Sequence, residues 1–137
     1  IDRRIDTAIE EMVRYNGPVE TPFPRFAYED LELRGVSVPQ GDMVIPVLAA
    51  ANRDPEAFDD PDVFDITRSP NKHVGFGVGI HYCLGAPLAR LEARVAIPAL
   101  LDRFSDIELA VDESDLRWNP GFFLRGVREL PVRVTPA

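Results

Sequence analysis

Apolar residues recur along this chain with two different periods, and the switches between them divide it into helices and strands. Ile5, Ala8, Ile9 and Met12 fall at i, i+3, i+4 and i+7, the spacing of one helix face, and Gly17-Pro18 ends the pattern. Residues 2–15 are therefore predicted to form an amphipathic helix. Pro18, Pro22 and Pro24 make the next stretch too stiff and too poor in donors to be helical. Leu31 and Leu33 then alternate with acids, Gly35 turns the chain, and Val36 and Val38 resume the alternation of a strand. Val38-Pro39-Gln40-Gly41 reads as a type I turn with Pro second and Gly fourth. Met43 to Val47 is the next expected strand, with Pro46 marking an edge or an early end.

Periodicity is lost over residues 51–72, a long acidic connector of the kind that is functional or packs as a scaffold of its own. Phe76 to Gly85 is a loop punctuated by glycine. A second helix is expected from about Leu84 to Phe104, burying Leu84, Leu88, Leu91 and Val95. Pro87 suits its first turn, whereas Pro98 lies deeper and is expected to kink or divide it. Short strands return from Asp106 to Val134 and end in the alternation Leu130, Val132, Val134. The chain has no internal repeat and no low-complexity tract.

Composition narrows the class. A length of 137 residues, 45% hydrophobic and 28% charged, fits one soluble globular domain. No apolar run approaches the ~18 residues of a membrane helix. The N-terminal Ile1-Asp2-Arg3-Arg4 has neither an initiator Met nor an apolar signal region and opens into a helical pattern, as expected of a piece of a larger protein. A net charge of −8 argues against nucleic acid as a partner. The charge is uneven, however. Asp54, Glu56, Asp59, Asp60, Asp62 and Asp65 form an acidic run without a base, while Arg68, Lys72, Arg90 and Arg94 face only Glu92 in the stretch around the single cysteine. One cysteine excludes an internal disulfide and suits the cytoplasm.

That cysteine, Cys83, is bracketed by Gly77, Gly79 and Gly85. Glycine is needed where φ is positive or where another body comes too close for a Cβ, and a flat macrocycle is one such body. Cys83 also stands at the start of the second helix, where backbone N–H groups and the helix dipole favour a thiolate, the form that ligates iron. A lone cysteine is nonetheless most often an inert core residue. Glycine loops before helices also bind phosphates, although this one lacks the Lys-Ser/Thr ending of a P-loop. Zinc is disfavoured, since Cys83, His81 and His73 give three donors at most.

The run His73-Val-Gly-Phe-Gly-Val-Gly-Ile-His-Tyr-Cys-Leu-Gly-Ala-Pro-Leu-Ala-Arg90 resembles the haem-binding signature of the cytochrome P450 family in its soluble bacterial form, with Phe76, Gly79, Cys83 and Gly85 at the family's spacing. Glu11-Met-Val-Arg14 is similar to the family's Glu-x-x-Arg helix, and Ala51 to Phe58 to the segment that supplies a second arginine. Pro18-Val19, Arg25, Gly41-Asp42 and Arg125-Gly126 extend the likeness over nearly the whole chain; Gly75, Pro98 and Ser105 depart from it. The resemblance implies a mainly α fold with small β-sheets, the C-terminal portion of the cytochrome P450 fold, in one partial domain over residues 1–137.

It further implies a haem-thiolate monooxygenase. Haem b (iron protoporphyrin IX) would be held by Cys83 as metal ligand, with Arg25 and His81 at the propionates and Phe76 and Gly77 beside the cysteine. Glu11, Arg14 and Arg53 would form a buried ion network. On sequence alone Glu11–Arg14 is an ordinary i,i+3 pair, and Glu10 at i,i+4 serves Arg14 equally well. Val19, Glu20, Thr21 and Pro22, with Gly121, Phe122 and Phe123, would face a small apolar or amphipathic organic substrate, Glu20 and Thr21 offering it a polar handle. His73 is expected to be structural. The basic stretch around Cys83 would dock a ferredoxin- or flavodoxin-type electron donor. The family's distal oxygen-activating helix would belong to a missing N-terminal part of the same enzyme. A shortened haem carrier or sensor without turnover, and a non-haem interaction domain with an incidental cysteine, are the alternatives.

Overall fold

A computed structural model describes residues 3–137. The first helix, α1, runs Arg3–Asn16, in place of the predicted 2–15, whose first residue lies outside the described ones, as do Ile1 and Asp2 of the N-terminal motif. Its buried side is only half apolar: Ala8 and Ile9 are buried, but so are Glu11 and Arg14, while Met12 is exposed. A carboxylate and a guanidinium thus occupy positions that periodicity would assign to the core.

The β region holds two small antiparallel pairs. Strands β2 (Leu31–Leu33) and β3 (Val36–Val38) form the expected hairpin, Leu31 opposite Val38 and Leu33 opposite Val36. Arg34 and Gly35 both take positive φ, 46° and 82°, which gives the tight two-residue turn whose twist matches the strands. β1 (Arg25–Phe26) pairs with β4 (Met43–Val44), and β4 stops short of Pro46. The turn before β4 lies one residue later than predicted. Asp42 N–H donates to the Pro39 carbonyl at 3.1 Å and Gly41 has φ +88°, so glycine sits third, as a type II turn requires.

After the four-residue α2 (Leu48–Ala51), residues 52–78 form an irregular wrap without regular elements, ending in a short 3₁₀ turn, Gly79–His81. The helix α3 spans Ala86–Arg103 with Pro98 inside it; the expected division does not occur. The expected buried face is also corrected. Leu84 is 98% exposed, and Leu88, Leu91 and Val95 are each more than half exposed. The face turned towards the protein carries Ala86, Arg90, Ala93 and Ile97, the same helical period rotated to another side. Small side chains let α3 approach α1, and its arginines find acids there, as described below.

The strand β5 (Phe104–Leu109) follows α3 directly and pairs antiparallel with β6 (Val132–Pro136), Ile107 opposite Val134. Leu130, expected in that last strand, precedes it. Among the described residues the buried apolar side chains are only Ala8, Ile9, Ala27, Phe58 and Ala86. The accessible surface is 10375 Å², against about 7,100 Å² for a self-contained monomer of this mass.

Candidate functional site

The loop from His73 to Gly85 is shaped by its glycines. Gly77 N–H donates to the Val74 carbonyl at 2.7 Å, and φ at Gly77 is +74°. A Cβ there would lie 2.9 Å from the His81 carbonyl oxygen, so only glycine fits. Gly79, with φ +62°, starts the 3₁₀ turn, which Tyr82 N–H closes on the Gly79 carbonyl at 3.1 Å. The chain then crosses back: Cys83 N–H donates to the Phe76 carbonyl at 2.8 Å, and the Cys83 carbonyl accepts from Ala86 N–H, the first residue of α3, at 3.2 Å. Cys83 is held at both peptide groups while its thiol is exposed.

Ile80 and Leu84, on either side of it in sequence, are almost fully exposed. No cluster of three or more His, Cys, Asp or Glu able to hold a metal ion exists among the described residues. A lone sulfur beside exposed apolar side chains fits an iron that arrives with its own ring of nitrogens and needs one further ligand. Phe76, Gly77 and His81 share this loop with Cys83. His81 is exposed. Arg25 lies apart on β1, where its guanidinium donates to the Phe23 carbonyl at 2.7 Å.

Two ionic centres stand behind the loop. In the first, Arg14 makes a two-pronged bond to Glu11 at 2.7 and 2.8 Å, both side chains fully buried. Arg14 also donates to the carbonyls of Asn52, Pro61 and Val63. Glu11 accepts from Asp65 N–H at 2.9 Å, from Asn71 at 3.0 Å and from Arg68 at 3.3 Å. Burial pushes the Glu11 pKa up, but the bonds from Arg14, Asp65 N–H and Arg68 outweigh it and hold the group at about 2. The expected third member is corrected. Arg53 donates to the Tyr15 carbonyl and to Asp62 and stacks on Tyr15, 3.8 Å from the ring centre; the second arginine on Glu11 is Arg68.

The second centre was not visible in the sequence. Glu10 does not serve Arg14. Its carboxylate takes a two-pronged bond from Arg90 of α3 at 2.6 and 2.7 Å and a bond from His73 Nε2 at 2.9 Å. Arg90 also donates to the Tyr82 hydroxyl at 2.8 Å and lies over the Phe76 ring, 4.4 Å from its centre. The hydrogen bond from Arg90, against the opposing effect of burial, lowers the Glu10 pKa, and Glu10 in turn raises that of Arg90. No local signal could have found it: Glu10 and Glu11 stand at i−4 and i−3 of Arg14, both within its reach on the helix surface, and only contacts from distant elements separate them.

The sequence profile described as Cytochrome P450 matches residues 5–125. The chain belongs to the cytochrome P450 family. It is 51% identical over 131 residues, 96% of its length, to the polyketide biosynthesis cytochrome P450 PksS of Bacillus subtilis (strain 168), of which it covers 32%. It is 52% identical over 129 residues, 94% of its length, to the cytochrome P450 monooxygenase PikC of Streptomyces venezuelae, of which it covers 31%. The solved structure of the tirandamycin C-bound P450 monooxygenase TamI superposes with a TM-score of 0.93 at 49% identity, over 98% of this chain and 34% of that one. The chain thus spans about a third of the length of the cytochromes P450 it matches, and its fold is the C-terminal portion of theirs.

In this cytochrome P450 the two segments expected to face substrate are joined to each other. Val19 bridges Leu124, Glu20 N–H donates to the Phe123 carbonyl at 3.1 Å, and Arg125 N–H donates to the Pro18 carbonyl at 2.8 Å. The Thr21 hydroxyl donates to the Phe122 carbonyl, and Glu20 pairs with Arg125 at 3.4 Å. The Thr21 hydroxyl and one Glu20 oxygen thus have partners within the protein. Phe122 stacks on Phe123 at 4.5 Å and is half exposed.

Three of the four bases of the basic stretch have acid partners in the structure. Arg68 is bound to Glu11, Arg90 to Glu10 and Arg94 to Asp6 at 2.6 Å. Of the four bases, Lys72 alone has no acid partner among the described residues. Acids of α1, distant in sequence, neutralise what looked like a positive surface.

Proposed function

We propose that this chain is the haem-carrying C-terminal part of a cytochrome P450 monooxygenase, a single partial domain over residues 1–137 of a cytoplasmic enzyme. The observation that carries the reading is Cys83, its peptide groups bound to Phe76 and Ala86 and its thiol free to receive a ligand. Haem bound through a thiolate supplies the chemistry that activates dioxygen. Cys83 is the metal ligand; Phe76 and Gly77 shape the loop so that the thiolate meets the macrocycle without a second protein donor. Arg25 and His81 take the propionates, and Phe76 limits water at the sulfur.

The Val19–Thr21 and Phe122–Leu124 segments, locked together, present a preformed wall to substrate. That wall presents the exposed Phe122 and Leu124 side chains, which favours an apolar or amphipathic organic molecule. PksS is named for polyketide biosynthesis, which supports a polyketide-type substrate here. About 3,000 Å² of surface beyond that of a self-contained monomer supports packing against the rest of the same enzyme. A ferredoxin- or flavodoxin-type protein supplies the electrons.

The test is Cys83→Ser in the haem-loaded protein, read by the ferrous–CO spectrum. Loss of the thiolate-type Soret band with haem still bound is the expected result. An unchanged spectrum would refute the assignment.

A further inference from the structure

The Cys83 loop is tied down at both ends to one carboxylate, and that carboxylate is on a different element. His73, where the loop begins, is bonded through Nε2 to Glu10, and its Nδ1 accepts the Gly75 N–H at 3.1 Å. That pairing leaves the Nε2 proton for Glu10. Tyr82, immediately before the cysteine, is bonded to Arg90, whose other nitrogens are bonded to Glu10. The same guanidinium lies over the ring of Phe76, 4.4 Å from its centre, and the Phe76 carbonyl accepts the Cys83 N–H. His73 is nearly fully buried, and the Glu10 and Arg90 side chains are largely shielded. The fully buried Ala86 sits where α3 begins, so the last residues of the loop cannot slide along the helix without opening that contact.

We propose that Glu10 and Arg90 are positioning residues for the iron ligand: Arg90 clamps Tyr82 and Phe76 on either side of Cys83, and Glu10 holds Arg90 in the orientation that does so. The inference rests on the reading of Cys83 as the ligand, but its geometric part does not. Glu10 is one residue before Glu11 and has a separate task. Glu11 and Arg14 anchor the wrap of residues 52–71; Glu10 and Arg90 anchor the loop that presents the sulfur. The planar fork of arginine supplies paired bonds to Glu10 and a third bond to Tyr82 at once; lysine cannot supply the paired bonds.

Hydrogen exchange at the Cys83 backbone N–H reads the clamp directly and needs no haem. In Glu10→Gln and in Arg90→Lys that amide is expected to exchange roughly tenfold faster, the loss of one charge-assisted hydrogen bond, while amides of the β5–β6 ladder keep their protection. Tyr82→Phe removes a single bond at the end of the loop and should show a smaller effect confined to the same segment. In the haem-loaded protein the same variants should lose thiolate-type ferrous–CO absorption, Arg90→Lys failing to rescue Arg90→Gln. Unchanged Cys83 exchange in Arg90→Lys would overturn the proposal. So would an equal loss of protection everywhere in the charge variants with Tyr82→Phe silent, because that marks a general structural role. Faster Cys83 exchange, together with a Cys83→Ser spectrum that does not change, would uphold the clamp and reject the ligand.

Discussion

At the scale of single residues, the most consequential group is a carboxylate buried in a helix. Glu11 has no exposed surface yet stays ionised, because Arg14, Arg68, Asn71 and the Asp65 N–H all donate to it. Its pKa falls from 4.5 to about 2 on folding. The unfolded chain therefore binds its proton first as pH drops. Stability from this group is complete above about pH 5 and is lost as pH falls from 4.5 through about 2, an amount of about 3 kcal/mol. Glu11→Gln should flatten that part of the pH–stability profile and cost about 3–5 kcal/mol at neutral pH, since Arg14 is left buried without its counter-charge. Urea unfolding across this pH range checks both. Gly77 is the second sensitive position. Alanine there must adopt φ +74° and meet the His81 carbonyl at 2.9 Å. A left-handed non-glycine residue costs about 1–2 kcal/mol before any clash, so Gly77→Ala should lower the melting temperature, and a variant that melts like the parent would contradict the account.

Among the elements, α1 and α3 are joined mainly by charge. Asp6–Arg94 and Glu10–Arg90 bridge them, flanking a contact made by small residues. The Asp6–Arg94 pair is about half exposed at both ends, so Asp6→Asn should cost less than about 1 kcal/mol. Equal losses from Asp6→Asn and Glu10→Gln would contradict this ranking of the two bridges. Pro98 has no N–H to offer the Arg94 carbonyl, yet α3 continues for another turn. Pro98→Ala should restore that bond and stabilise the protein by up to about 3 kcal/mol, measured as a shift in the denaturant midpoint. Strand lengths follow the same local logic: β4 ends where Pro46 would have to donate, and the β2–β3 hairpin closes where Gly35 permits positive φ.

For the molecule as a whole, pairing has matched most of the basic residues clustered along the stretch around Cys83. Arg68, Arg90 and Arg94 are matched by acids of α1, so the face around Cys83 is less positive than its own residues suggest. Docking of an electron donor there should depend only weakly on ionic strength, because little long-range attraction is left to screen. Stopped-flow reduction of the haem-loaded protein over a salt series checks this; a steep fall in the association rate would show that unpaired charges elsewhere steer the donor.

Much of this was legible in the chain alone. Helix α1, the hairpin at Gly35 and the glycine-framed Cys83 loop follow from local spacing, because turns and helix period are short-range properties, and the family was readable from the resemblance of contiguous motifs. Partners distant in sequence are not. Glu10 and Glu11 are indistinguishable as neighbours on a helix, and only the packing of α3 and of residues 52–71 against α1 sends one to Arg90 and the other to Arg14 and Arg68. The same packing chose which side of α3 is buried, gave Arg53 partners outside the Glu11–Arg14 centre, and engaged the Thr21 hydroxyl. Sequence determined which residues could ligate, turn and carry charge. Tertiary structure decided which charges meet, since a pair's energy depends on distance and burial in space rather than on separation along the chain.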